Sequence, residues 1–137
     1  MKTLSLRPEW AHLLLTGEKT VEVRSWKTDY RGDILIVSSA AKRKGLISGY
    51  ALIVYELVDI VPMTEKYLEE AYMEEIPEGN YYAWLLDNPK EIIPFPVKGK
   101  LHLYDTPDDL IKYTHTETEE EAEEVFNKYW KPLFDKA

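Results

Sequence analysis

Alternation is clearest early in the chain. Thr20-Val21-Glu22-Val23-Arg24 switches strictly between polar and apolar residues. That is the pattern of a strand with one face in a core. It predicts that Val21 and Val23 point inward and that Thr20, Glu22 and Arg24 form one line on the opposite face. Lys2 to Leu6 predicts a short strand ahead of it. Pro8 as a first helical residue and Gly17 as a stop predict a helix over 8–15, with Trp10, Leu13 and Leu14 as its apolar stripe. A polar loop from Ser25 to Arg31 ends at Gly32. Ile34-Leu35-Ile36-Val37 is apolar at every position, which predicts a strand buried on both faces, closed by Ser38-Ser39-Ala40-Ala41 and followed by a basic loop, Lys42-Arg43-Lys44-Gly45.

Residues 46–60 are rich in β-branched and aromatic side chains and read as one long strand bent or bulged at Gly49. Thr64 predicts the cap of a helix through about Tyr72. Residues 81–86 predict a strand that Asp87-Asn88-Pro89 turns. Residues 92–103 continue as extended chain, with Pro94 and Pro96 holding the first half to an edge or bulge and residues 98–103 free to pair fully. Thr106-Pro107 starts a short helix. Thr118-Glu119-Glu120-Glu121 has the form of a capping box and opens a helix over 118–134, whose predicted stripe is Ala122, Val125, Phe126, Tyr129, Trp130 and Leu133. Buried strands, a bend and a proline edge together predict an α+β fold: a small β-barrel of about five to six strands, closed or nearly closed, with peripheral helices and a C-terminal amphipathic helix.

Composition narrows the chemistry. The chain has 137 residues, the size of one domain, and no cysteine, so disulfides, thiolate catalysis and cysteine-ligated metals are excluded. No apolar run approaches the ~20 residues of a membrane span, and Met1-Lys2-Thr3-Leu4 lacks the pattern of a signal peptide, so no membrane association and a cytoplasmic location are expected. The formal charge is −8, which argues against nonspecific polyanion binding, but its placement is uneven: residues 1–50 hold nine basic against five acidic side chains, a net +4, leaving −12 for the remainder. Much of the acid falls at the start of the last helix, where the macrodipole favours it. His12, His102 and His115 stand apart from one another, so no metal site is expected. No glycine-rich phosphate loop or G-x-S-x-G nucleophile motif is present, and no cofactor is expected.

The densest chemistry is Gly17-Glu18-Lys19-Thr20-Val21-Glu22-Val23-Arg24-Ser25-Trp26. A carboxylate and a guanidinium two apart on one strand face are about 7 Å apart and can share a pocket. Arg24 as a fork donor, Glu22 as acceptor and Lys19 as a point charge would bind a polar ligand. The same three could equally form a mutual surface salt bridge of little energetic weight. Trp26, followed by Tyr30 and Arg31, is either a stacking platform for a base or a loop anchor packed into the core. Trp10 and Trp84 are expected in the core. Lys98 and Lys100 extend a basic face or simply keep their strand soluble.

The motifs Leu4-Ser5-Leu6-Arg7-Pro8-Glu9-Trp10-Ala11, Gly17-x-Lys19-x-x-Glu22-x-Arg24-Ser25-Trp26 and Arg31-Gly32-x-Ile34-x-Ile36-x-x-Ser39-Ala40 come in order. With the later Tyr82-Ala83-Trp84-Leu85-Leu86-Asp87-Asn88-Pro89 and Pro94-Phe95-Pro96-Val97-Lys98-Gly99-Lys100-Leu101, they resemble the activating-signal-cointegrator-homology (ASCH) domain over about residues 4–104. The resemblance implies a PUA-like β-barrel at about 2–104, a helical extension at about 105–137 and a cleft beside the first helix. It also implies a link to RNA. By analogy Lys19, Glu22, Arg24, Trp26, Ser38 and Ser39 line the cleft. The expected ligand is RNA, single-stranded nucleic acid or a nucleotide. Arg24 and Lys19 would meet phosphate or base acceptors, Glu22 a base amino group and Trp26 a base face. Ser25 adjoins this group, and Arg31, Lys42, Arg43 and Lys44 would attract the backbone. Some small bacterial relatives are amidohydrolases of acetylated cytidine that use a Lys, a Thr and a Glu. Lys19 aligns with their lysine, but Glu22 replaces the threonine, which leaves Lys19 and Glu22 as the catalytic pair of an alternative reading and Glu56 as a candidate acid. A third reading is a protein-interaction adaptor using the acidic C-terminal helix.

Overall fold

A computed structural model describes all 137 residues. Six strands form one mixed sheet: β1 (Lys2–Leu6), β2 (Val21–Arg24), β3 (Gly32–Ser38), β4 (Tyr50–Pro62), β5 (Tyr82–Pro96) and β6 (Leu103–Asp105), in the order β2-β5-β4-β3-β1-β6. Helix α1 (Pro8–Thr16) links β1 to β2 and ends on Gly17, whose φ of 81° supplies the left-handed cap. Strands β1 and β3 run parallel, and the other neighbours are antiparallel. The fold is the expected α+β barrel, and it is nearly closed. The edge strands are β2 and β6, no ladder joins them, and β6 covers β1 only from Lys2 to Leu4, leaving Ser5 open to β2. Instead Arg24 Nη2 donates to the Ser5 carbonyl of β1 at 3.1 Å, so a side chain stitches the seam.

The core fills the barrel. Leu4, Leu14, Ile34, Ile36, Leu52, Tyr55, Leu57 and Trp84 form its centre, and Ile34 to Val37 are fully buried as their unbroken apolar run requires. The β4–β5 hairpin wraps this core because its ladder shifts register between Ala51 and Ile53, between Val54 and Glu56 and between Leu57 and Asp59.

Several expectations are corrected. Asp87-Asn88-Pro89 does not end a strand. Asn88 sits at φ 49° inside the 15-residue β5, and its side-chain amide donates to Glu56 Oε1 at 2.9 Å, so the expected turn is a bulge. No helix forms over 64–72, only a 3-10 turn at Glu65–Tyr67. The end of the segment is instead tied across to β2: Glu70 O accepts from Thr20 N and Val21 N at 2.9 and 3.1 Å, and Ala71 O accepts from Lys19 Nζ at 2.6 Å. Residues 98–102 do not pair; only Leu103–Asp105 joins β1. Strand β4 starts at Tyr50, after the bend at Gly49, and not at Leu46.

Trp10 is not core. Ala11, His12 and Leu14 occupy the inner face of α1, Leu13 is half-buried, and the Trp10 side chain is 37% exposed. The C-terminal helix is less buried than its stripe predicts. It runs as α2 (Glu119–Val125), a π-helical turn (Phe126–Trp130) and α3 (Lys131–Lys136). The wider turn shifts the apolar positions around the axis. Trp130, Leu133 and Phe134 pack on the core, whereas Ala122 and Phe126 are exposed. Its N-cap is as predicted, Thr118 Oγ1 accepting from Glu121 N at 3.1 Å, but the return bond of the expected capping box falls one residue early, Glu121 Oε2 accepting from Glu117 N at 3.1 Å.

His12 clamps α1 to the loop before β4. A carbonyl can only accept, so Nδ1 carries the proton toward Pro8 O at 2.8 Å, and Nε2 accepts from Ile47 N at 3.0 Å. The bond from Ile47 N needs the neutral ring, and burial lowers the His12 pKa below the ordinary 6.5, with the Pro8 carbonyl opposing that shift. The unfolded chain therefore takes the proton first as pH falls, so stability held above 6.5 is lost below it. Urea unfolding between pH 7.5 and 5 should show this loss, and a His12→Gln variant should show a flatter profile over the same range.

Candidate functional site

The β2 polar face and the loop after β5 meet at the barrel seam. Lys19 enters just ahead of β2 and is only 2% exposed. Its ammonium donates to Ala71 O, lies 3.5 Å from Glu22 Oε1 and sits 5.3 Å from the centre of the Trp10 ring. Glu22 is itself buried. Its Oε1 also accepts from Val23 N at 3.2 Å, and its Oε2 accepts from Arg24 Nε at 3.1 Å and pairs with Nη2 at 3.0 Å. Burial lowers the Lys19 pKa, with the neighbouring Arg24 adding a smaller push in the same direction; the attraction of Glu22 opposes both. The three heads thus converge, with an interlocked ion network below and the seam above.

They form part of the lining of a cleft of about 760 Å³. Its charged lining residues are Arg7, Lys19, Arg24, Lys98 and Lys100 against Glu22 alone, a strongly cationic hollow in a chain of net charge −8. Trp10 stands on the α1 side, and Met73, Pro77 and Tyr81 supply part of the apolar wall. Residues 97–101 line the cleft opposite, where Gly99 passes so close to β1 that a Cβ there would lie 3.0 Å from Ser5 Oγ.

Of the residues expected at the site, Lys19, Glu22, Arg24 and Ser39 line this cleft. The others do not. Ser38 is fully buried and donates to Ile47 O at 2.5 Å, a structural bond. Trp26 is the loop anchor: it packs edge-on against Trp84 at 4.8 Å and His102 at 4.9 Å, and its carbonyl accepts from Trp84 Nε1. Arg31 binds Thr28 O and Tyr30 O and pairs with Asp59. Ser25 and Lys42 are exposed and outside the lining, and Arg43 pairs with Glu9. Glu56 accepts from Asn88 and is not in the cleft. Sequence reasoning missed Ser5, Arg7, Trp10 and Tyr81. The alternation Lys98-Gly99-Lys100 was the visible signal for the far side.

A second hollow, about 980 Å³, lies between the C-terminal helix and β4–β5. Its walls include Leu52, Tyr55, Phe126 and Trp130, and the lysine at its rim, Lys90, is already paired with Asp33 at 2.8 Å. No group of three histidine, aspartate or glutamate side chains is placed to hold a metal. No helix is long and apolar enough to cross a membrane.

A family model for the ASCH domain matches residues 4–96. The chain belongs to the ASCH domain family. The ASCH match takes in β1 to β5 and the cleft residues Lys19, Glu22 and Arg24, and ends before β6 and before Lys98 and Lys100. Human activating signal cointegrator 1 is 28% identical over 121 residues and its mouse counterpart 26% over 119. Each alignment takes in 70% of this chain, which spans about 20% of the length of those curated relatives. The crystal structure of ASCH from Zymomonas mobilis superposes with a TM-score of 0.57 at 21% identity, over 93% of this chain and 94% of that one. A serine-to-alanine mutant of the same Zymomonas mobilis protein gives 0.58 at 20% identity, over 92% and 94%. The fold is that of the ASCH structures and is consistent with a PUA-like α+β barrel, a fold associated with RNA binding.

Proposed function

We propose that this ASCH domain binds RNA, or another single-stranded nucleic acid or nucleotide, in the cleft beside α1. The observation that supports it is the concentration of five basic side chains around one carboxylate in an otherwise acidic chain. Arg24, held in place by Glu22 and Ser5, presents its guanidinium to the ligand; Lys98, Lys100 and Arg7 attract the backbone; Lys19 fixes Glu22 from below. Trp10, and not Trp26, is the aromatic surface within reach. The test is anisotropy of a labelled single-stranded RNA at two salt concentrations. Lys98→Glu with Lys100→Glu is expected to weaken binding at least tenfold at low salt, because both side chains are exposed and their reversal leaves the fold alone. Unchanged binding would defeat the proposal.

One observation favours a second reading, hydrolysis of an amide on a modified nucleoside. Lys19 is buried in a cleft beside a carboxylate with its pKa lowered, as a proton-transferring lysine requires. Against it, both oxygens of Glu22 are already engaged by cationic donors. Release of cytidine from acetylated cytidine, lost in Lys19→Met, would establish this reading.

A further inference from the structure

We infer that the hollow between the C-terminal helix and β4–β5 docks a cationic amphipathic segment of a partner protein. Its aromatic floor takes the apolar side chains of that segment, and its glutamates take the lysines or arginines beside them. The hollow shares no lining residue with the cleft, so it does not depend on what the cleft binds.

The chain leaves this floor uncovered. No residue of α2, the π-helical turn or α3 is buried, although their stripe is apolar. Phe126 is 45% exposed and Tyr113 51%. In a plain α-helix residues eight apart diverge by about 80° around the axis. The wider π turn keeps Phe126, Trp130 and Phe134 together, so all three line the hollow, and the rings of Phe126 and Phe134 stack at 6.2 Å. Neither Trp130 Nε1 nor the Tyr113 hydroxyl makes a hydrogen bond within the chain. Aromatic rings with a free polar tip are the anchors that dominate protein docking.

Charge selects the occupant. From Tyr113 to Phe126 there are six glutamates and no lysine or arginine. Glu119, Glu120 and Glu121 complement the macrodipole in the first turn of α2. Glu123 and Glu124 lie beyond it, and Glu119 with Glu123 and Glu120 with Glu124 form two i,i+4 pairs of like charge, which weaken a helix. The side chains of these four are exposed and make no hydrogen bond or ion pair. At about 100° per residue, Glu119 and Glu123 border the face that carries Ala122 and Phe126, whereas Glu120 and Glu124 point away from it. Glu91, also unpaired, lines the β5 wall, and the one lysine of the lining, Lys90, is held by Asp33. Free carboxylates on both walls of an apolar hollow repel nucleic acid and match a helix with basic residues flanking its anchors.

The probe is a labelled peptide of about fourteen residues, with leucines at i, i+3, i+4 and i+7 and lysines elsewhere. One control carries glutamate in place of lysine; the other has the same composition with its leucines spread around the helix. At physiological salt the lysine peptide should bind at least tenfold tighter than either control. Phe126→Ala should weaken it at least tenfold, as loss of an anchor does. Glu119→Gln with Glu123→Gln should weaken it about threefold or more and flatten its salt dependence, whereas Glu120→Gln with Glu124→Gln, the same change of charge on the far face, should leave it within about twofold. Circular dichroism should show the helix retained in all three variants, which separates lost binding from lost fold. Equal binding of the three peptides, equal effects of the two glutamine pairs, or binding untouched by Phe126→Ala would each overturn the inference. So would sedimentation as a dimer that Phe126→Ala converts to a monomer, since the occupant would then be a second copy of this chain.

Discussion

Replacing Glu22 with alanine should destabilise the domain by about 3–5 kcal/mol, the cost of removing one partner of a buried ion network. Lys19 would keep its charge at 2% exposure with only the Ala71 carbonyl as a partner. Arg24 would lose both of its contacts to Oε2 and, with them, the orientation that carries Nη2 to Ser5. The effect should thus reach beyond the site and loosen the seam, seen as faster amide exchange in β1 and β2 as well as a lower urea midpoint. The double variant Lys19→Met with Glu22→Leu should recover much of the loss, because well-packed apolar groups replace buried charges at little cost. A loss below about 1 kcal/mol for Glu22→Ala would mean that the network behaves as a solvated surface pair.

Trp84→Ala should be of similar severity, about 3–5 kcal/mol, the range for deleting a large aromatic from a packed core. Trp84 is fully buried on β5, opposite Glu22 of β2 on one side and Ile60 of β4 on the other. Its indole holds the loop after β2 by a hydrogen bond to Trp26 O at 3.2 Å and by the edge contact with the Trp26 ring. Losing it removes core volume and the support beneath the strand that carries Glu22 and Arg24. Trp84→Phe keeps an aromatic and forfeits the donor, so about 0.5–1.5 kcal/mol of its loss should come from the missing hydrogen bond. Chemical unfolding followed by circular dichroism separates the two variants, and equal losses would show that ring volume is not what matters.

How far the residues announced this structure depends on whether their signals were local. β1, α1, β2 and β3 lie close to where periodicity, Pro8 and Gly17 put them, because each is set by its own side-chain pattern and end residues. The segment around Thr64 forms only a 3-10 turn, and its end is tied by the carbonyls of Glu70 and Ala71 to Thr20, Val21 and Lys19, long-range partners that no local pattern shows. Asn88 looked like a turn because a left-handed residue serves a bulge and a turn alike. The ion trio was visible in the motif, but not that Lys19 would be buried, which depends on the same distant Ala71 carbonyl. The two tryptophans exchanged expected places for a similar reason. Trp10 has the spacing of a core residue, yet α1 turns Ala11, His12 and Leu14 inward and leaves Trp10 at the cleft, while Trp26 finds Trp84 and His102 to pack on.

The pairing of Lys2 with Asp105 and Leu4 with Leu103 has a consequence for how the chain is made. The first strand leaves the ribosome about a hundred residues before its antiparallel partner, and its parallel neighbour β3 is itself reached only after a helix and another strand. Until then Leu4, Leu6 and the apolar run of β3 have no finished sheet to enter. Folding should therefore be slow for a protein of this size, with its rate set by loop closure, and the nascent chain should be most prone to aggregation just before residue 105 emerges.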